Sequence, residues 1–185
     1  MRIIAGSFGG VRLAGLGKGD AAAHLRPTPD RVRESLFSAL ASRADDPLTG
    51  AHVLDLFAGT GALGLEALSR GAAQAVFVEN GRTGLRLLRD NIARTKTGDR
   101  ATVTPRDATR LSQATVPPAS LVFLDPPYGQ GMGAATLQTA FGAGWIAPGA
   151  LVIWEESTPQ IPPEGWGAEG TRRYGDTHIT MLLAP

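Results

Sequence analysis

Cysteine is absent from all 185 residues of the chain. That excludes disulfides, thiolate nucleophiles and cysteine-held metals together, and makes an intracellular, cytoplasmic location the simplest expectation. Histidine is scarce: His24, His52 and His178 lie scattered without ligand spacing, so no metal is expected. No apolar stretch approaches the roughly 20 residues of a membrane helix. The opening MRIIAGSFGG also lacks the apolar region of a secretory signal, so no membrane partner is expected. Internal repeats and low-complexity tracts are missing too. What is left is 43% hydrophobic and 19% charged, the balance of an ordinary globular protein. The length suits a single domain, residues 1–185, with a core of its own.

Net charge is only +1, but it is unevenly spread. Residues 1–33 carry Arg2, Arg12, Lys18, Arg26, Arg31 and Arg33 against Asp20 and Asp30. Such a basic arm suits a polyanionic partner, or else a merely solvated surface. Within it, Arg2–Ala5 and Val11–Leu13, separated by glycines, suggest a small hairpin, and a glycine-rich connection (Ala14–Arg26) follows. Thr28 or Asp30 is positioned to cap a helix whose apolar residues Val32, Leu36, Phe37 and Leu40 fall at helical spacing. Residues 1–28 thus read as an appendage on the main body.

From His52 onward, strand-length apolar runs alternate with helical patterns, which predicts an α/β fold with a mostly parallel sheet. The expected strands are His52–Phe57, Ala75–Glu79, Ala101–Thr104, Ser120–Leu124 and Ala150–Glu155. The expected helices are Ala62–Arg70, Gly81–Thr95 and Gly133–Gly144. Thr171–Tyr174 and His178–Leu183 flank Gly175–Asp176 and predict a closing antiparallel hairpin.

The run VLDLFAGTGALG (Val53–Gly64) puts a glycine turn between a buried strand and a helix. Glycine there permits positive φ and close approach of a ligand to the backbone. Phe57, Ala58, Gly59, Thr60 and Gly61 form this turn, and helix N-terminal amides open onto the same crevice. Gly59, Gly61 and Gly64 match the dinucleotide fingerprint, with Glu79 placed to hold ribose hydroxyls. That fingerprint alone fits a nicotinamide cofactor as readily as S-adenosylmethionine. Asp55 separates them: a carboxylate in an apolar strand is costly without a cationic or hydrogen-bonding partner. The ammonium of S-adenosylmethionine is such a partner, whereas a pyrophosphate is repelled. An aspartate that merely caps the loop's own amides is the alternative. Asp107, after the third strand, suits an adenine amine or a plain helix cap.

Leu121–Tyr128 reads LVFLDPPY. An amine on a planar ring is a poor nucleophile because its lone pair is delocalised into the ring. Acceptors on its two hydrogens favour a tetrahedral nitrogen, and the Asp125 carboxylate and Pro126 carbonyl are suited to that work. Pro126 and Pro127 stiffen the backbone and offer no competing donor. Tyr128 offers a face for a flipped-out base. A strand ending in a rigid turn, with Tyr128 as packing, is the bland alternative, and a glycine loop some sixty residues upstream makes it a poor one.

Taken with the opening MRIIAG, the motifs RPTPDRVRESLFSAL (Arg26–Leu40), VLDLFAGTGALGLEALSRGA (Val53–Ala72) and DPPY resemble bacterial 16S ribosomal RNA guanine-N2 methyltransferases, nearly end to end. The resemblance implies a Rossmann-like, seven-stranded, S-adenosylmethionine-dependent fold that modifies one guanine of the small ribosomal subunit. It implies cofactor contacts at Asp55, Gly59, Gly61, Glu79 and Asp107 and base contacts at Asp125–Tyr128. It places Arg26 and Thr28 beside the site and the basic arm, with Arg2, Arg12 and Arg31, on the RNA; a monomer is the expected state. The competing readings are a DNA amine methyltransferase, for whose target-recognition region 185 residues leave little room, and an oxidoreductase, which leaves DPPY unexplained. A non-catalytic RNA-binding module would need neither motif.

Overall fold

The computed structural model describes residues 1–16 and 28–185. Arg26 and the connection from residue 17 onward therefore lie outside the described residues. Helix α1 (Asp30–Ala41) is followed by β1 (His52–Leu56), α2 (Ala62–Ser69), β2 (Gln74–Val78), α3 (Arg82–Thr95) and β3 (Ala101–Thr104). A short 3-10 turn leads to β4 (Ala119–Leu124), α4 (Gly133–Gly142) and β5 (Ile146–Glu156), and then to the hairpin β6 (Gly167–Tyr174) and β7 (Thr177–Leu183). The seven strands form one sheet in the order β3-β2-β1-β4-β5-β7-β6. The first five are parallel, and β7 and β6 join antiparallel.

Strands covered on both faces read as continuous apolar runs, and successive residues supply the two cores in turn. Val53, Leu121, Phe123, Leu151 and Ile153 meet α1 and α2 on one face. Leu54, Leu56, Val122, Leu124 and Val152 meet α4 and the 3-10 turn on the other. Phe37 of α1 is fully buried and packs on Phe123, with ring centroids 5.6 Å apart. Its loss would cost about 3–5 kcal/mol, since a cavity is left behind. Edge strand β6 is exposed and carries Arg172 and Arg173, a charged edge that discourages pairing with another sheet.

Two local expectations need correcting. Pro29, not Thr28 or Asp30, occupies the N-cap of α1, and no side chain caps it. The Asp30 carboxylate is engaged by Arg33, and the Thr28 hydroxyl by Glu155. The N-terminal hairpin is reduced to a single antiparallel bridge, Arg2 to Arg12, supported by Ile3 N–H to the Val11 carbonyl at 3.0 Å.

That hairpin is fixed firmly to the body. Buried Glu66 of α2 accepts from the amides of Ile4 (2.7 Å) and Ala5 (3.1 Å). Ile3 and Leu13 enter the main core. The Asn91 side chain of α3 accepts from Ala14 N–H (2.6 Å) and donates to the carbonyls of Ala14 (3.1 Å) and Thr60 (2.9 Å). One asparagine thus ties the end of the hairpin to the glycine turn. The chain runs from β1 outward through β2 to β3, then returns to β4 on the other side of β1. The carboxyl ends of β1 and β4 therefore flank the switch point, where open α/β sheets hold ligands.

Candidate functional site

The turn after β1 is backbone-strained where a ligand would approach. Phe57 has φ 60°, and Gly59 and Gly61 have φ 54° and 77°. Phe57 is one of three described non-glycine residues with positive φ. Strain of this kind persists only where its surroundings enforce it. Here Ala58 N–H is tied to the Val78 carbonyl at 3.0 Å. Gly64 must be glycine for a different reason: a Cβ there would lie 2.4 Å from the Phe77 ring and 3.1 Å from Asp55 Oδ2. Its bareness lets α2 close onto the strands.

Asp55 is 2% exposed. Its Oδ2 accepts from Gly64 N–H at 2.9 Å, so it serves the first turn of α2 as a cap. Oδ1 accepts no hydrogen bond from the described residues. Burial, opposed in part by the Gly64 hydrogen bond and reinforced by the charge of Glu79, pushes the Asp55 carboxyl up to about 8. Two buried acids, with no described cation against Asp55, make a site that a cationic ligand would relieve. Glu79 is also buried; its Oε2 accepts from Gly59 N–H at 2.7 Å and its Oε1 from Gly81 N–H at 2.6 Å. It thereby joins the glycine turn to the end of β2. Asp107 caps the 3-10 turn, accepting from Thr109 N–H (2.9 Å) and its hydroxyl (2.7 Å), and those bonds hold its carboxyl below the ordinary range.

Asp125 sits directly beside this turn. β4 pairs with β1 in parallel register, Leu124 opposite Leu56, and Asp125 N–H donates to the Leu56 carbonyl at 3.4 Å. Pro126 is buried, while Asp125, Pro127 and Tyr128 are half-buried. The Tyr128 hydroxyl donates to Glu155 Oε1 at 2.9 Å and lies 3.2 Å from Thr177 Oγ1. Burial first, and then the negative charge of Glu155, raise its phenol above the ordinary value, so it stays protonated. In the order of the sheet, the carboxyl ends of β3, β2, β1, β4 and β5 carry Asp107, Glu79, Asp55, Asp125 and Glu155. At about 4.8 Å per strand, β3 and β1 stand about 10 Å apart, room for an elongated ligand lying beside Asp125.

Arg2 and Arg12 are exposed and directly opposite each other across the bridge. Like charges so placed repel unless an anion lies between them. Arg31 is exposed on α1, and Thr28 is buried against Glu155. Sequence reasoning overlooked Glu155, Glu156, Asn91 and Glu66. The first two had a visible signal: LVIWEE closes an apolar run with acids, as LVFLD does. Asn91 and Glu66 had none, because their partners lie 77 and 62 positions away. No group of residues able to hold a metal occurs among the described residues. No described helix is long and apolar enough to cross a membrane.

The family described as conserved hypothetical protein 95 matches residues 1–183. Ribosomal RNA small subunit methyltransferase D of Escherichia coli K12 is 42% identical over 142 residues, covering 75% of this chain and 69% of that protein. Its Haemophilus influenzae namesake is 34% identical over 171 residues, covering 90% and 84%. Among solved structures, the Escherichia coli yhhF protein matches with a TM-score of 0.82 at 36% identity, over 100% of this chain and 97% of that one. A Salinibacter ruber RNA methyltransferase, solved with S-adenosyl-L-homocysteine, has a TM-score of 0.66 at 18% identity, over 86% and 94%. At that identity the likeness speaks for the fold.

Proposed function

The chain belongs to the conserved hypothetical protein 95 family, together with the ribosomal RNA small subunit methyltransferases D, and on that premise we propose that it methylates the exocyclic N2 amine of a guanine in 16S ribosomal RNA. S-adenosylmethionine is the methyl donor. One observation carries the reading. The strained glycine turn with its buried acid and the DPPY motif stand on adjacent strand ends at the switch point, joined by the Asp125 amide and the Leu56 carbonyl.

The residues present fit the cofactor. Asp55 has a spare acceptor and needs a cation, which the methionine ammonium supplies and a pyrophosphate does not. Glu79, at the end of β2, suits ribose hydroxyls, and Asp107 suits the adenine end. When bound, the cofactor supplies an already activated sulfonium methyl group, so no metal is called for. The protein contributes orientation and electrostatics. Asp125 and the Pro126 carbonyl accept the two amine hydrogens and turn the nitrogen lone pair outward, and Tyr128 stacks on the extruded base. The paired Arg2 and Arg12, with Arg31, neutralise RNA phosphates from outside the pocket.

An assay of labelled methyl transfer with small subunits, naked 16S rRNA, DNA and small amines as acceptors tests this. Label in small-subunit RNA is expected. Label in DNA alone, or in amines alone, would overturn the substrate assignment.

A further inference from the structure

We propose that Glu155 is a positioning residue for the methyl-acceptor site, holding the Tyr128 ring in place and linking it to Thr28 at the end of the N-terminal arm. This rests on the reading of Asp125–Tyr128 as the acceptor motif. Glu155 sits near the end of β5, only 5% exposed. Its Oε2 accepts from the Thr28 hydroxyl at 2.9 Å and its Oε1 from the Tyr128 hydroxyl at 2.9 Å. Thr177, at the start of β7, brings its own hydroxyl to 3.2 Å from the same phenol. Two segments remote in sequence thus converge on one carboxylate, and a third meets the phenol that the carboxylate holds.

The fold alone gives no reason for an acid there. Leu151 and Ile153, on the same face of the same strand, are core residues, and an aliphatic side chain would continue that pattern at lower desolvation cost. A ring fixed only by packing keeps freedom to tilt, whereas a second anchor at the hydroxyl sets its plane. Glu156 supports the arrangement from the opposite face. Its Oε1 accepts from Gly129 N–H at 3.2 Å, so the backbone just after the motif is held to the same strand end. The acceptor loop is therefore clamped from both faces of β5, by side chain on one and by backbone on the other. A ring set at the right tilt orders the base for attack. The loss of that tilt lowers kcat more than it raises KM.

The test uses Glu155→Ala, Glu155→Gln, Tyr128→Phe and the double variant Glu155→Ala/Tyr128→Phe in the full chain. Each is measured for kcat and KM on small subunits, for cofactor affinity by calorimetry and for Tm. Glu155→Ala should lower kcat on the order of tenfold, as expected for a lost anchoring hydrogen bond. RNA KM and cofactor affinity should stay within about threefold. Glu155→Gln, which keeps shape and one carbonyl acceptor, should recover part of the loss and guards against a misfolded alanine variant. In the Tyr128→Phe background, removing Glu155 should cost little more, because its partner hydroxyl is already gone. Losses that multiply in the double variant would overturn the proposal, as would an unchanged kcat in both Glu155 variants. A second readout needs no turnover. The chain has two tyrosines, Tyr128 and Tyr174, and an ultraviolet difference titration resolves an ordinary phenol near pH 10 from the raised one. Glu155→Gln should bring the raised phenol down, and an unmoved titration would deny the contact. Wild-type protein inactive on every RNA sinks the underlying reading, whereas active wild type with an indifferent Glu155 sinks this proposal alone.

Discussion

Cofactor binding should be coupled to the release of one proton at Asp55. In the free protein that carboxyl is pushed up to about 8 by burial and by the charge of Glu79. Near pH 7 only about one molecule in ten then carries the ionised form that meets an ammonium, so the apparent affinity is roughly tenfold below its limit. Each further pH unit downward should cost about another tenfold. Above about pH 8 the ligand's own α-amino group loses its proton, so affinity should peak there. Asp55→Asn preserves shape but removes the titrating group. Binding near pH 8 should weaken by roughly 10- to 100-fold, the range of a charge-assisted hydrogen bond, and the slope between about pH 6 and 8 should disappear. Isothermal calorimetry with S-adenosyl-homocysteine, run in buffers of different ionisation enthalpy, counts the proton directly. The same shift acts on stability. An acid whose carboxyl is raised on folding contributes stability that is complete below about pH 4 and lost as pH rises through about 8. Ligand-free Tm should therefore lose part of its value across that window in wild type, and less in Asp55→Asn. A wild-type affinity flat from pH 6 to 8, with no proton released, would refute the reasoning.

Asp125→Ala should abolish turnover while calorimetry shows cofactor affinity within a few fold, because the proposed role of its carboxylate is on the base. Tyr128→Phe should lose about as much turnover as Glu155→Ala, on the order of tenfold, since both remove the same anchoring hydrogen bond, whereas Tyr128→Ala should lose nearly all of it through the further loss of stacking worth roughly 1–3 kcal/mol; equal losses in the two Tyr128 variants would refute stacking. Reversing Arg2 and Arg12 to glutamate should weaken RNA binding and flatten its salt dependence while leaving cofactor affinity intact, as filter binding at several salt concentrations would show. Deleting residues 1–14 should instead lower Tm and weaken cofactor binding, because Glu66, Ser69 and Asn91 would lose their partners.

The sheet and its switch point were legible because the buried parallel strands β1, β2, β4 and β5 write themselves as apolar runs, with an acid or a glycine at or just after the end of each. Where local chemistry was overruled from afar, reading failed. Thr28 has every property of an N-cap, yet its hydroxyl is taken by Glu155, 127 residues away. The fifth strand is expected from Ala150, but β5 starts at Ile146 and carries Pro148 and Gly149 within it, where its register with β4 shifts. Strand β6 begins at Gly167, ahead of the expected Thr171, because a register shift between Ala168 and Gly170 carries pairing through a glycine-rich stretch. The glycine turn and DPPY were visible as motifs. Their adjacency was not, for it depends on β4 crossing to the far side of β1. The clamp of Glu155 and Glu156 likewise exists only once β5 lies beside β4.

On the proposed reading, DPPY suits an amine on a planar ring, which admits adenine, cytosine and guanine alike. A pocket that chooses guanine must also satisfy its ring N–H and carbonyl, since unpaired buried polar groups cost roughly 1–3 kcal/mol each. The base must leave its stack, which is cheapest in a structured RNA loop. Small subunits from cells lacking the gene, incubated with labelled S-adenosylmethionine and the protein, can be digested to nucleosides for mass spectrometry. N2-methylguanosine is expected as the sole labelled nucleoside, with none from Asp125→Ala. Label in methyladenosine or methylcytidine would contradict the guanine assignment.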